Sequence, residues 1–375
     1  MKENRKRIVV DDMCLTTDLS TAAGSKMLDG YQSLLASEAL SRAEAAGYVV
    51  CGKAPVGEFA IDLLGETSAH GAQIHQEILK NASAQMLLQD DATAALCLDV
   101  NGYPRRAAAQ AGLVCLKPTY DAVSRQGVVS VAPSGETVDI LAKDVEDCRE
   151  LFGRVKKEST TESSSIRRVA ILTSFDDGID DEVKCKISNA VASLENSEIF
   201  TTYIENNGIS LAKTAWNVIL CAELCKNTAR YDGIRYGHRA EAFESLDELY
   251  TNSRTEGFGD LTKAAILYGS DVLSAQNYQN VYDKSLRVRR VIAEDFARLF
   301  QTYDAILLPA CSSMMYTTEQ TEADKYMAFE ENRYTAPATL AGLPAVVVGG
   351  VQLIGKPNAE EALLDVAKIL AGEGN

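Results

Sequence analysis

Ala305-Ile306-Leu307-Leu308-Pro309 and Ala345-Val346-Val347-Val348 carry no polar residue between their ends. A strand with one wet face alternates apolar with polar, so continuous runs of this kind suit interior strands of a sheet covered on both faces. Working outward, Ile8-Val9-Val10 and Val169-Ala170-Ile171-Leu172 are further runs of the same type, and Val128-Val129-Ser130-Val131 reads as another strand. Helix formers from Ala36 to Ala46 end at Gly47, a good C-cap, and lead into a strand over Tyr48-Val49-Val50-Cys51-Gly52. From Asp180 to Leu194 the residues Val183, Ile187, Ala190, Val191 and Leu194 recur at helical spacing. Val145 to Phe152 is expected to be a helix stopped by Gly153, and longer helices are expected over 211–231 and 281–300. Strands alternating with helices point to the α/β class. The low-complexity polar stretch 156–168 is the natural link between two halves, 1–155 and 169–375.

The chain has 375 residues and a formal net charge of -16. Phosphate backbones are bound by clustered Lys and Arg that release counterions, so this balance argues against direct nucleic-acid binding. Nine cysteines with no paired CxxC set fit buried free thiols in a reducing compartment. The basic start at Met1 to Lys6 runs straight into Ile8 without the apolar core of a signal peptide, and no stretch reaches the roughly 20 apolar residues that span a bilayer. The expectation is a soluble cytoplasmic protein without membrane contact.

Asp99-Val100-Asn101-Gly102-Tyr103-Pro104-Arg105 precedes Ala111-Gly112-Leu113-Val114-Cys115-Leu116-Lys117-Pro118-Thr119-Tyr120 and Val123-Ser124-Arg125-Gln126-Gly127. These blocks resemble the amidase-signature family, whose patterns read D-T-G-G-S-I-R-x-P and C-G-V-V-G-L-K-P-T-Y-G-R-V-S-R-Y-G. In the second half, Asn227-Thr228-Ala229-Arg230-Tyr231-Asp232-Gly233 and Arg254-Thr255-Glu256-Gly257-Phe258-Gly259 are similar to N-L-A-R-Y-D-G and R-S-E-G-F-G. Those blocks belong to the A-subunit branch of the glutamyl-tRNA(Gln)/aspartyl-tRNA(Asn) amidotransferases. The ordered blocks cover nearly the whole chain, and the resemblance implies the amidase-signature fold, a mixed twisted β-sheet covered by helices on both faces.

The resemblance implies an amide-cleaving triad of serine, bridging serine and lysine, in which a base within hydrogen-bond reach activates the weak nucleophile and backbone amides hold the oxyanion. At the matching positions Tyr103 replaces the nucleophile and Asp11, in Ile8-Val9-Val10-Asp11-Asp12-Met13, replaces the lysine of I-A-I-K-D-N. The glycine-serine loop G-G-S-S-G-G-S has no counterpart. Leu79 or Lys80 stands for the bridging serine, Ser83 falls on a non-catalytic family serine, and Gln73 to Leu88 is expected to form one regular helix. The family's glutamine pocket maps onto Trp216, Asn217, Ala265 and Asn332, where the carboxylate-binding arginine is now Ala265 and the amine-binding aspartate is now Asn332. Losing both removes the charge-assisted bonds that hold an amino-acid zwitterion.

Other residues have a sharp and a bland reading. Tyr103 is either a new nucleophile or, preferred, a packing tyrosine, since its pKa near 10 needs a base that Asp11 and Asp12 supply poorly. Asp11, Asp12 and Asp99 are oxygen ligands for a cation or, preferred, turn carboxylates. Cys221 and Cys225 lie one helical turn apart without a histidine pair, which favours core thiols over a metal site. His70, His75 and His238 match no metal spacing. Lys53 occupies the structural lysine of the family's G-K-x-N-x-D-E-F-A block, and Arg230, Asp232, Arg235 and Arg239 form a salt-bridged knot or a contact patch. The combined expectation is a non-hydrolytic assembly or regulatory subunit without metal or cofactor. Its expected partners are subunits B and C of a tRNA-dependent amidotransferase, or further copies of itself. The alternatives are an active enzyme, either an amidase or an amidotransferase component releasing ammonia from glutamine, and a small-molecule sensor.

Overall fold

The structure, a computed structural model, describes residues 6–89, 92–157 and 165–372. The strands in chain order are β1 (Arg7–Asp11), β2 (Val49–Ala54), β3 (Gln73–His75), β4 (Ile78–Lys80), β5 (Ala92–Asp99), β6 (Val114–Lys117), β7 (Thr137–Ala142), β8 (Arg168–Leu172), β9 (Phe200–Ile204), β10 (Ala305–Pro309), β11 (Ala345–Val348) and β12 (Val351–Gly355). Ten of them form one sheet in the order β2-β1-β5-β7-β6-β11-β12-β10-β8-β9. Its ends are parallel, β2 with β1 and β5, and β10 with β8 and β9, while the central pairs from β5 to β10 run antiparallel. Every residue of β6, β7, β10, β11 and β12 is buried. Side chains alternate between faces, so both faces are covered. Helices 103–111, 145–155 and 360–371 pack against these central strands.

The strand expectations hold at Ile8–Val10, Val49–Gly52, Val169–Leu172, Ala305–Pro309 and Ala345–Val348. The helix Asp181–Asn196 buries Val183, Ile187, Ala190, Val191 and Leu194 as its spacing predicts. Three expectations fail. Val128–Val131 forms only a single bridge, Val128 to Cys14, because the Glu136 carboxylate takes the amides of Val131 and Ala132 and the Ser130 hydroxyl. The helix starting at Val145, capped by Asp144, runs through Gly153 to Val155, since Val155 is buried and draws the last turn inward.

The third failure bears on the site. Gln73 to Leu88 is a β3–β4 hairpin followed by a helix over Ala82–Gln89. The hairpin turns on Gln76 and Glu77, both at positive φ (50° and 63°). Such a two-residue turn ordinarily signals itself by Asn-Gly, which this sequence lacks at the turn. Leu79 donates its amide to the Tyr316 carbonyl at 2.8 Å, and Asn81 accepts from the Ala84 amide at 3.1 Å, starting the helix only there. The longer helices are trimmed to Ala212–Thr228 and Asp283–Leu299, the second preceded by a π-helical turn at Tyr278–Tyr282. Most of the polar link, 158–164, lies outside the described residues.

Candidate functional site

Parallel pairing of β1 with β5 brings Asp11, the last residue of β1, beside the end of β5 and the turn 99–102. Gly102 takes a left-handed φ of 83°, and a Cβ there would lie 2.4 Å from the Thr335 hydroxyl, so only glycine closes this turn. Helix 103–111 starts directly after it with Pro104 in its first turn. Asp99 accepts from the Gly102 amide at 2.6 Å and from Arg105 Nε at 2.8 Å. Arg105 donates further to the Thr335 carbonyl, Gln352 Oε1 and Thr339 Oγ1, with distances of 2.8 to 3.0 Å. Burial pushes the Asp99 carboxyl up, but the Arg105 charge and the Gly102 amide outweigh it and hold the group below the usual range.

Tyr103 points back from the helix and donates its hydroxyl to Asp11 Oδ2 at 2.5 Å. The same oxygen accepts from the Leu98 amide at 2.6 Å, and Oδ1 accepts from the amides of Met13 and Cys14. Both side chains are sealed from solvent, Tyr103 at 2% and Asp11 at 0% exposure. Burial raises the Tyr103 pKa well above 10, and the Asp11 carboxylate raises it further, so the phenol stays protonated. Burial also raises Asp11, opposed by the four bonds it accepts. A hydrogen bond to a charged group is worth about 1.5–3 kcal/mol. The arrangement is a closed pair, with the Tyr103 hydroxyl donating to the Asp11 carboxyl group.

Asp12 does not join this pair. It accepts from the amides of Ala22 and Gly24 and lies 3.4 Å from Lys53, whose ammonium also reaches the Ser20 carbonyl and the Thr21 hydroxyl. Asp11, Asp12 and Asp99 therefore serve three separate sets of partners, and among the described residues no three His, Cys, Asp or Glu side chains could hold a metal ion. Leu79 is buried and Lys80 half-buried on β4, while Ser83 is buried in helix 82–89. In the expected substrate pocket, Asn332 Nδ2 donates to Asn217 Oδ1 at 2.7 Å, and Asn217 Nδ2 donates to the Phe329 carbonyl at 3.0 Å. Trp216 is buried against Gly135, where an added Cβ would come within 2.5 Å of the indole, and Ala265 is buried on helix 260–272. Asn332 Oδ1 is buried without a hydrogen-bond partner. Cys221 is buried and Cys225 half-buried. His70 pairs with Asp29 at 3.3 Å and His238 with Glu256 at 2.7 Å, while His75 lies on β3. Asp232 pairs with Arg235 at 3.2 Å, Arg230 bonds Asn227, and Arg239 lies over Phe243.

The Amidase family model matches residues 89–364. The chain belongs to the amidase family. It is 34% identical over 394 residues to the A subunit of glutamyl-tRNA(Gln) amidotransferase from Symbiobacterium thermophilum, and 32% identical to its counterpart of the same name from Streptococcus pneumoniae. Each alignment covers 96% of this chain and 81% of the relative. A crystal structure of the corresponding A subunit from Thermotoga maritima is similar with a TM-score of 0.80 and 25% identity, covering 97% of this chain and 82% of that one. No helix among the described residues is long and apolar enough to cross a membrane.

One part of this amidase-family centre escaped the sequence reading. Four consecutive carbonyls, Ile61 to Leu64, are gripped by side chains: Asn101 in the turn holds Ile61, Arg106 on helix 103–111 holds Asp62 and Leu63, and Asn81 ahead of helix 82–89 holds Leu64. Glu66 accepts the amides of Leu63, Leu64 and Gly65 from the other side. Asparagine at 101, where the family pattern has glycine, was the available signal. The segment 58–64 is entirely buried and roofs the loop of the Tyr103–Asp11 pair, leaving a cleft of about 360 Å³ outside it, between Leu63, Leu79 and Leu261.

Asp62 within this roof has its carboxyl pushed from 3.8 up to about 8, by burial first and then by the Glu66 charge, against the Thr67 hydrogen bonds and the Arg106 charge. A group that holds its proton in the folded chain but loses it in the unfolded one makes folding take up a proton. Stability from this group therefore falls as pH rises from about 4 to about 8. Asp62→Asn keeps an acceptor for Thr67 but does not titrate. Urea denaturation is expected to give matching curves near pH 4 and a more stable variant near pH 8, the two ends of that window. A variant less stable at both pH values counts against the protonated carboxyl.

Proposed function

We propose that this chain is a non-hydrolytic component of a larger assembly, an amidase-family scaffold whose reaction has been replaced by internal bonds, serving to assemble or regulate another protein in the cytoplasm. The observation that carries the reading is the buried Tyr103–Asp11 hydrogen bond. At the positions where the family resemblance expects a serine nucleophile and a lysine base, a donor and an acceptor satisfy each other. Support comes also from the Asn217–Asn332 pair, which occupies the expected glutamine pocket with neutral amides. The relatives are named as one component of an amidotransferase, which makes subunits B and C of a tRNA-dependent amidotransferase the first partners to test. The acidic balance leaves any tRNA contact to those partners.

Purified protein incubated with glutamine, asparagine and aryl amides is expected to release no ammonia or amine above buffer. It is also expected to resist labelling by a fluorophosphonate that traps serine nucleophiles. A covalent adduct on any residue lining the centre, with turnover lost on its mutation, sinks the proposal in favour of an active amidase.

A further inference from the structure

We propose that the β3–β4 hairpin is a docking edge that takes an extended lysine- or arginine-bearing segment of a partner protein as a third strand. The inference rests on the assembly reading above, and it concerns the very stretch where the family resemblance places the bridging-serine loop.

The hydrogen-bond phase of the hairpin is fixed by its turn. With a two-residue turn at Gln76-Glu77, the closing pair His75–Ile78 is the mutually bonded one. The next pair, Ile74–Leu79, then aims its N–H and C=O groups outward, and Leu79 does so: its amide reaches the Tyr316 carbonyl at 2.8 Å. Along that side β4 is covered. The outward groups of Ile74 face the opposite edge, where β3 has no neighbour among the described residues. All three β3 residues are exposed, Ile74 at 51%. An open edge of this kind is a template for a further strand, with main-chain bonds supplying affinity and pockets supplying choice.

The pocket and its charge say what kind of strand. Ile74, Leu79, Leu261 and Met327 line the 360 Å³ cleft over the Ile74–Leu79 face of the hairpin and offer an apolar seat. Around them stand the carboxylates of Glu66, Asp260, Glu322 and Asp324 and the ammonium of Lys325, with Lys263 lying 3.9 Å from Asp260, so the rim keeps an acidic excess. Lys80 pairs across from Gln73 on the far face, away from this cleft's lining. A second copy of the chain docking edge to edge would set two acidic rims together. A basic segment with an aliphatic residue between its charges satisfies the cleft and the rim at once, and charge complementarity of this sort selects partners and speeds encounter.

The test uses the whole chain and two fluorescein-labelled heptapeptides, one alternating valine with lysine and the other valine with glutamate. Fluorescence anisotropy is expected to show saturable binding of the lysine peptide only, weakened about tenfold between about 50 and about 300 mM salt. Ile74→Pro removes the outward N–H and is expected to abolish binding. Because that variant could disturb the hairpin, Asp260→Asn combined with Glu322→Gln, both at exposed positions, is expected to weaken binding at least about fivefold. Amide exchange at Ile74 is expected to slow when the peptide is bound. No binding, equal binding of both peptides, or unchanged binding by the double variant overturns the docking edge. These outcomes leave the non-hydrolytic reading standing, which fails only on turnover or a covalent adduct.

Discussion

Asp11→Lys combined with Tyr103→Ser, which puts the family's expected letters back at two positions, is expected to yield no amide turnover and a protein at least about 4 kcal/mol less stable than wild type. The lysine would bring an ammonium into a site where the amides of Leu98, Met13 and Cys14 all donate and the one carboxylate acceptor is gone. A buried charge left without a partner costs about 3–5 kcal/mol. Trading a fully buried tyrosine for serine adds a cavity, and large-to-small changes of that size cost about 3–5 kcal/mol on their own. Chemistry is not expected to return, because the stretch where the family resemblance places the bridging serine, at Leu79 or Lys80, is a strand whose Leu79 amide is already bound to Tyr316. Urea unfolding with an ammonia-release assay checks both halves. A folded double variant that hydrolyses glutamine would mean that the scaffold around the pair had stayed competent.

Arg105→Ala is expected to destabilise by about 3–5 kcal/mol, because it strips Asp99 of its counter-charge while both groups are shut away from water. Four acceptors on three elements converge on this one guanidinium, namely Asp99 in the turn, Thr335 and Thr339 on helix 327–341 and Gln352 on β12. Arg105→Lys retains the charge but lacks the planar fork, so only part of the loss is expected to be recovered. Denaturant midpoints measured with equal slopes for the three proteins decide it. A loss below about 1 kcal/mol for the alanine variant would mean that solvent or a neighbour reaches the carboxylate.

The sheet was legible because its strands announce themselves. Runs such as Ala345–Val348 are apolar on every residue, and that pattern follows directly from burial on two faces. The hairpin at 73–80 was not legible, since Gln76 and Glu77 hold left-handed conformations that neither residue type advertises. Leu79 is kept in a strand by Tyr316, far along the chain, and no local propensity reports such a contact. At the candidate site the resemblance singled out Tyr103 and Asp11 one by one, as changed letters. That they bond to each other, 92 positions apart, is a fact of register between β1 and β5. The grip of Asn101, Arg106 and Asn81 on successive carbonyls was hidden for the same reason: Asn101 stood out only as a departure from the family glycine, and Arg106 and Asn81 are ordinary polar residues until the backbone they hold is seen.

The position of β11 and β12 carries a consequence for synthesis. Among the described residues they are the only strands that join β6 on one side to β10 on the other. Until residue 355 has left the ribosome, the strands on the β6 side and those on the β10 side therefore lack the pairs that join them, and β6 and β10 each lack one neighbour. Assembly must wait for these two short strands to slot in as a keystone, and a message truncated shortly before them would produce a sticky, unclosed polypeptide and not a smaller working protein.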